Sequence, residues 1–331
     1  MKLIYELSNF VQNIFWKEKG VLNYLLTPLS HIYSLIQNSR YYLFQTPYKL
    51  NCKIICVGNS ISGGSGKTPV VLRLVQLLNN KDVAVVTRGY KGSLSNHKNV
   101  HKVNLKQHTF KDVGDEAILL AEYSDVYISK NRRLAVQQAE NEGAKLIILD
   151  DGLQDNTIYK DLVILIINDL KNENNLTIPA GPMRESLTSS FRKSDMVMLN
   201  NLEEKEIVKK YDKNKTFVIK KQVIANQEKI KDKTYILICG IANPDRVLKT
   251  IENLNITLRD KFIYPDHYVF SEDELTSIYK TAYKLDLKIL TTTKDFVRIP
   301  KKFAEKTDII DYSVEFENEI ELKEKIIKLL S

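Results

Sequence analysis

The sequence predicts an α/β protein: a mainly parallel sheet with helices on both faces, followed by a smaller second α/β unit. Three observations predict it. Short, nearly continuous apolar runs such as KIICVGN from Lys53, VAVVT from Val83 and LVILII from Leu162 alternate with amphipathic stretches, as in strands buried on both faces by crossover helices. A glycine-rich segment, VGNSISGGSGKT from Val57, joins one of these strands to a helix. A pair of acids, Asp150 and Asp151, closes another strand, LIILDD, and ligands of open parallel sheets gather at such strand ends.

A chain of 331 residues, 43% hydrophobic and 27% charged, has the composition of a folded protein and the length of two domains. The expected division is a helical segment over residues 1–50, a main α/β domain over 51–210 and a smaller α/β domain over 211–331, its last elements free to pack back on the first. The net charge of +8 favours anionic partners without choosing among them. Cys52, Cys56 and Cys239 form neither a disulfide framework nor a zinc spacing. No apolar stretch reaches the roughly 20 residues of a spanning helix, and no secretory signal is visible.

Taken in order, the first element is VLNYLLTPLSHIYSLIQNSRYYLF from Val21, whose polar residues recur at helical spacing and which Pro28 interrupts, with a new helix able to start there. Lys2, Lys17, Lys19, Arg40 and Lys49 form a basic rim around an apolar, aromatic face. That composition suits both a helix packed on the core and one lying in a membrane surface. After the strand from Lys53 come the helix PVVLRLVQLLNN, the strand from Val83, the helix GDEAILLAEYS, the strand VYISK and the helix RRLAVQQAENEG. The strands KLIILDDG, LVILIIND and DMVMLNN complete the first unit. The second unit opens on the alternating strand TFVIKKQVIA and continues with YILICGI, the helix DRVLKTIENL, RDKFIYP, the helix SEDELTSIYKTAYKL, LKILTTT, a single strand IIDYSV and the helix ELKEKIIKLL.

The glycine-rich segment carries the chemistry. Bare backbone amides at Gly63, Gly64, Ser65 and Gly66 can approach phosphate oxygens, the helix amino terminus adds positive potential, Lys67 reaches the β- and γ-phosphates and the Thr68 hydroxyl can bind Mg²⁺. The strict phosphate-loop pattern asks for glycine where Ile61 stands, so this is a variant with its glycines shifted. Asp150 and Asp151 are the matching metal carboxylates. The Asn-Lys-x-Asp tetrad of guanine readers is absent from the sequence, which favours ATP. A nucleic-acid binder is disfavoured because no binding module is recognisable. A nucleotide switch and a soluble small-molecule kinase stay open on these residues alone.

Further segments fall into a known order: PLS at Pro28, TRGYKG at Thr87, VGDE at Val113, DDGLQ at Asp150, PAGPMRE at Pro179, GIANPDR at Gly240 and PDH at Pro265. With the shifted phosphate loop, this set resembles the tetraacyldisaccharide 4′-kinase family over nearly the whole chain. The resemblance implies a P-loop NTPase-type kinase that moves the γ-phosphate of ATP to the 4′-hydroxyl of a tetraacylated disaccharide 1-phosphate, giving lipid IVA. It also implies a peripheral enzyme at the cytoplasmic face of the bacterial inner membrane, touching it through the amino-terminal helix; no nucleic acid and no obligate protein partner are expected. By themselves, Asp115 reads as a helix cap and His267 as a loop residue; the resemblance implies a general-base dyad. Glu116, Arg184 and Glu185 lie in the matching motifs as candidate substrate residues, Arg132 or Arg184 is a candidate for neutralising phosphate charge, and Arg184–Glu185 is an alternative structural pair. Asp155 stands where the family commonly has histidine, and residues 168–176 are richer in Asn and Lys than in relatives.

Overall fold

The computed structural model describes residues 20–43, 47–61, 66–78, 82–96, 99–167, 174–200 and 216–330. Gly63, Gly64 and Ser65 of the phosphate loop lie outside the described residues, as do residues 1–19 and 168–173.

The chain opens with α1 (Val21–Leu43), then β1 (Lys53–Gly58), α2 (Lys67–Leu78), β2 (Val83–Thr87), β3 (His101–Lys102), α3 (Phe110–Val113), α4 (Asp115–Ala121) and β4 (Asp125–Ile128). Next come α5 (Arg132–Asn141), β5 (Leu146–Asp150), β6 (Leu162–Ile166), α6 (Leu187–Lys193), β7 (Met196–Leu199) and β8 (Thr216–Ile224). The remainder is α7 (Gln227–Ile230), β9 (Thr234–Cys239), α8 (Pro244–Asn253), β10 (Thr257–Ile263), α9 (Glu272–Lys284), β11 (Lys288–Thr292), α10 (Thr293–Phe296), β12 (Thr307–Ile310), β13 (Tyr312–Phe316) and α11 (Glu319–Leu330).

Two sheets result. A nine-stranded sheet runs β13-β8-β7-β6-β1-β5-β2-β4-β3 and a four-stranded one runs β10-β9-β11-β12. All pairs from β8 to β4 are parallel, while β13 and β3 are antiparallel edge strands. The small sheet is wholly parallel.

The apolar runs are continuous because each strand feeds two cores. Alternate residues Ile54, Cys56, Ile147, Leu149, Val163 and Leu165 face a layer with Ala135, Val136 and Phe191 from α5 and α6. Their neighbours Ile55, Val57, Ile148 and Ile164 face Val70, Val71 and Leu74 of α2 and Leu322 and Ile326 of α11. With a side-chain period of two and both faces covered, every position must be apolar. The small sheet repeats the scheme, with Val247 and Ile251 of α8 on one face and Leu275, Ile278 and Ala282 of α9 on the other.

Two expectations are corrected. IIDYSV is two strands, not one: β12 pairs with β11 in the small sheet, and after Asp311 the chain enters the large sheet as β13 against β8. An apolar run cannot reveal a change of sheet at one polar residue. Pro28 lies inside α1, which continues through it; the preceding turn is tied by Thr27 Oγ1 donating to the Asn23 carbonyl at 2.9 Å.

Strand β8, whose sequence opens the second unit, pairs with β7, so residues 234–310 alone build the small sheet and the chain then returns. The return is fixed by Arg73 of α2, whose Nε and Nη2 donate to the Glu319 carboxylate at 2.7 and 2.5 Å, a two-pronged contact between the helix after the phosphate loop and α11.

Candidate active site

Strands β1 and β5 are neighbours in register, Val57 opposite Asp150, so the glycine-rich turn and the paired acids leave the sheet side by side. Gly58 ends β1 because nothing larger fits: a Cβ there would lie 2.6 Å from that of Leu153 in the loop after β5. Lys67 begins α2 and turns its ammonium back to Asn59 Oδ1 at 3.1 Å and to Asp151 Oδ1 at 3.5 Å. Thr68 follows on the same first turn.

The two acids differ. Asp151 adopts a left-handed backbone, φ 58°, uncommon for a non-glycine residue and frequent at functional sites. Its carboxylate accepts Arg184 Nη1 at 2.9 Å on both oxygens. Burial works against its charge, but Lys67, Arg184 and Arg132 outweigh it and hold the carboxyl below the usual range. Asp150 is fully enclosed and has only the Thr87 hydroxyl at 3.5 Å on Oδ2, while Oδ1 has no hydrogen-bond partner among the described residues. Burial, with Glu116 and Asp151 nearby, pushes it up to about 7.

A buried carboxylate with an idle oxygen is costly unless a cation meets it. Among the described residues no group of three or more His, Cys, Asp or Glu converges as a metal cage. The idle oxygen of Asp150 fits Mg²⁺, a cation that takes one or two carboxylates together with water and phosphate oxygens.

Arg132 is buried and donates from Nη2 to the Asp151 carbonyl at 2.6 Å, with Asp155 at 3.7 Å from Nη1. Asp155 therefore faces this guanidinium. Arg184 and Glu185 do not pair with each other. Glu185 is buried and takes Lys193 at 2.7 Å, the Ser189 hydroxyl at 3.0 Å and Gln154 at 3.0 Å. Its oxygens serve the interior, where a sugar could reach them only by breaking those bonds.

The opposite wall comes from α4 and the small sheet. Gly114 precedes Asp115 with φ 88°, and a Cβ there would meet the Tyr90 carbonyl at 2.5 Å, so the RGYKG turn sits on the start of α4. Asp115 is the first residue of that helix, whose N-cap is Gly114; it accepts the adjacent Glu116 amide at 2.9 Å and also reaches His267, with Nδ1 at 2.9 and 3.1 Å from its two oxygens. The two residues, 152 positions apart, thus meet where one sheet's loops face the other's. His267 is held with φ 59° and stands edge-on to the Tyr90 ring, centroids 5.3 Å apart. Burial opposes the Asp115 charge, but the His267 hydrogen bond, Lys294 and Arg298 keep the carboxyl below its ordinary value.

Sequence reasoning missed Lys294 and Arg298. Lys294 lies 3.1 Å from His267 Nε2 and 3.3 Å from Glu116 Oε1. Arg298, fully buried, spans the Gly240 and Tyr268 carbonyls, Asp295 at 2.8 Å and Asp115 at 3.5 Å. The available signal was position: TTTKD puts Lys294 and Asp295 just past the carboxyl end of a buried parallel strand, as LIILDD does for its acids.

Comparison with known proteins follows the same lines. The family model described as tetraacyldisaccharide-1-P 4′-kinase, LpxK, matches residues 22–331. A tetraacyldisaccharide 4′-kinase of Bartonella tribocorum is 33% identical over 321 residues, 92% of this chain and 89% of that protein. One of Rickettsia akari is 31% identical over 317 residues, 95% and 96% of the two chains. Among solved structures, LpxK from Aquifex aeolicus in complex with ATP superposes with a TM-score of 0.76 at 27% identity, covering 94% of this chain and all of that one. With a match that runs from the amino-terminal helix to the last residue, the chain belongs to the tetraacyldisaccharide-1-P 4′-kinase family.

Proposed function

We propose that this chain transfers the γ-phosphate of ATP to the 4′-hydroxyl of a tetraacyldisaccharide 1-phosphate to give lipid IVA. The observation that carries the reading is the meeting of Asp115 with His267, 2.9 Å apart, beside the end of β5, with Asp150 and Asp151, and the start of α2, with Lys67.

Phosphoryl transfer asks for a held triphosphate, neutralised charge and a proton acceptor. Lys67 and the amides of the glycine-rich turn hold the phosphates. Thr68, Asp150 and Asp151 would hold Mg²⁺, which would supply positive charge to offset that of the phosphates. With Nδ1 occupied by Asp115, His267 has Nε2 to take the proton of the sugar hydroxyl as its oxygen attacks the γ-phosphorus and ADP leaves. Arg184, already beside Asp151, can place its free guanidinium edge on a phosphate of the nucleotide or the acceptor.

The test is incubation of the purified chain with labelled ATP and the disaccharide lipid in detergent. The expected product is heavier by one phosphate on the lipid. ATP hydrolysis with no phosphorylated lipid rejects the reading in favour of a nucleotide switch, and equal transfer to a water-soluble sugar rejects the lipid acceptor.

The membrane belongs to the same proposal. Helix α1 turns its polar stripe inward: Asn23 Nδ2 donates to the Ala180 carbonyl at 2.7 Å, Ser30 to that of Thr177 at 2.7 Å, and Ser34 meets the Thr177 hydroxyl at 3.0 Å. Its opposite stripe, Val21, Leu25, Leu29, Ile32, Leu35 and Ile36, is left 53–78% exposed. An apolar arc on a helix already docked by its polar side suits the headgroup boundary of a bilayer. No described helix is long and apolar enough to cross one. We place the chain on the cytoplasmic face of the bacterial inner membrane, peripherally bound. Replacing Leu25 and Ile32 together by Glu is expected to weaken co-flotation with lipid vesicles by roughly 10- to 100-fold while activity on detergent-dispersed lipid persists. Unchanged flotation removes α1 as the anchor.

A further inference from the structure

Lys294 is surrounded by acceptors: His267 Nε2 at 3.1 Å, Glu116 Oε1 at 3.3 Å and Asp266 Oδ1 at 3.4 Å. Burial works against its charge, but Glu116, Asp266 and Asp115 outweigh it and hold the ammonium above its ordinary value. An ammonium only donates and a carboxylate only accepts. The imidazole of His267 therefore stands between a donor-only group at Nε2 and an acceptor-only group, Asp115, at Nδ1. One neutral tautomer satisfies both edges: proton on Nδ1, lone pair on Nε2.

The opposing influence is also present. The second oxygen of Asp266 lies 3.5 Å from Nε2 and would draw a proton to that nitrogen if nothing else were there. Lys294 engages Asp266 and Nε2 together and so decides the contest. It is anchored to do so: α10 is capped by the Thr292 hydroxyl with Asp295, and Arg298 Nε donates to the Lys294 carbonyl at 3.3 Å while its guanidinium also faces Asp115.

We propose that Lys294 is a positioning residue for the transfer reaction, its ammonium fixing His267 in the tautomer whose Nε2 can accept a proton and standing where the acceptor hydroxyl must arrive. This rests on the reading of His267 as the base. When the hydroxyl takes its place at Nε2, Glu116 and Asp266 keep the ammonium at the rim of the site.

The test compares wild type, Lys294→Met, Lys294→Arg and His267→Ala as full-length proteins. Long-range nitrogen–proton NMR correlations of the His267 ring, taken at mildly alkaline pH, report the tautomer. The expected result is a proton on Nδ1 in wild type and Lys294→Arg and on Nε2 in Lys294→Met. Turnover of Lys294→Met is expected to fall about 10- to 100-fold with KM for ATP within about twofold, and Lys294→Arg is expected to recover part of it. If Lys294→Met keeps both the wild-type tautomer and turnover while His267→Ala is inactive, the role of Lys294 is overturned and the base stands. If His267→Ala retains turnover, the base reading itself has failed. Should Lys294→Met not fold, Lys294→Arg decides: a proton on Nε2 in that variant overturns the proposal.

Discussion

Lys67→Ala is expected to lower lipid phosphorylation by about 10³-fold or more while the protein melts close to wild type. The argument is local. The Lys67 ammonium stands between Asn59 and Asp151, at the first residue of α2, where a triphosphate would meet both the helix terminus and the carboxyl ends of β1 and β5. No other lysine follows the glycine-rich turn within α2, so the charge has no substitute there. The fold has little stake in it. Asp151 keeps Arg184 at 2.9 Å, Asn59 keeps its bond to the Ile61 carbonyl at 2.8 Å, and the core contacts of α2 come from Val70, Val71, Leu74 and Val75. Turnover near wild type in a folded Lys67→Ala protein would falsify the phosphate site, whatever the family membership.

Much of this site was legible in the sequence because its parts are local. A strand, a glycine-rich turn and a helix start within a dozen residues specify a phosphate loop without knowledge of the rest, and two acids at a strand end announce themselves in the same way. The resemblance then joined Asp115 to His267, which no spacing rule connects across 152 residues. The illegible parts depend on how distant segments meet. Lys294 looked like one more surface lysine in a lysine-rich chain, since only the packing of α10 against α4 brings it to the imidazole. Asp311 was equally silent, because changing sheets leaves no mark on an apolar pattern that both sheets share. Arg184 and Glu185, adjacent in sequence, turn to different partners because successive residues outside a helix point apart. The helix α1 shows the reverse case: its two faces were visible, but which one turned inward was not. Five polar contacts to the Thr177–Ala180 turn decided it.

His267→Ala is expected to lower turnover by about 10²- to 10⁴-fold at neutral pH, the span of general-base catalysis, with affinity for nucleotide largely kept. The ring touches Asp115, Asp266, Lys294 and Tyr90 and, among the described residues, neither Lys67 nor Thr68, so binding and proton transfer are expected to separate in this variant. Asp115→Asn should lose most of the same turnover, since an amide no longer compels Nδ1 to carry the proton. The pH behaviour distinguishes the two partners. Asp115 is held below the ordinary carboxyl value in the folded protein, so the stability it contributes is present above that ordinary value and is lost only as pH falls through the lowered one. Through the neutral range it stays a carboxylate, and any change of turnover with pH there must come from another group, of which Asp150, pushed up to about 7 by burial, is one and stays in place in both variants. If His267 is that group, its removal alters the pH–rate profile while Asp115→Asn lowers the rate across it. A His267→Ala protein with the wild-type profile and only a uniform loss would mean that the imidazole supports the cleft without moving the proton, and the base would have to be sought among Asp266 and Glu116, the other acids that Lys294 holds at the same point.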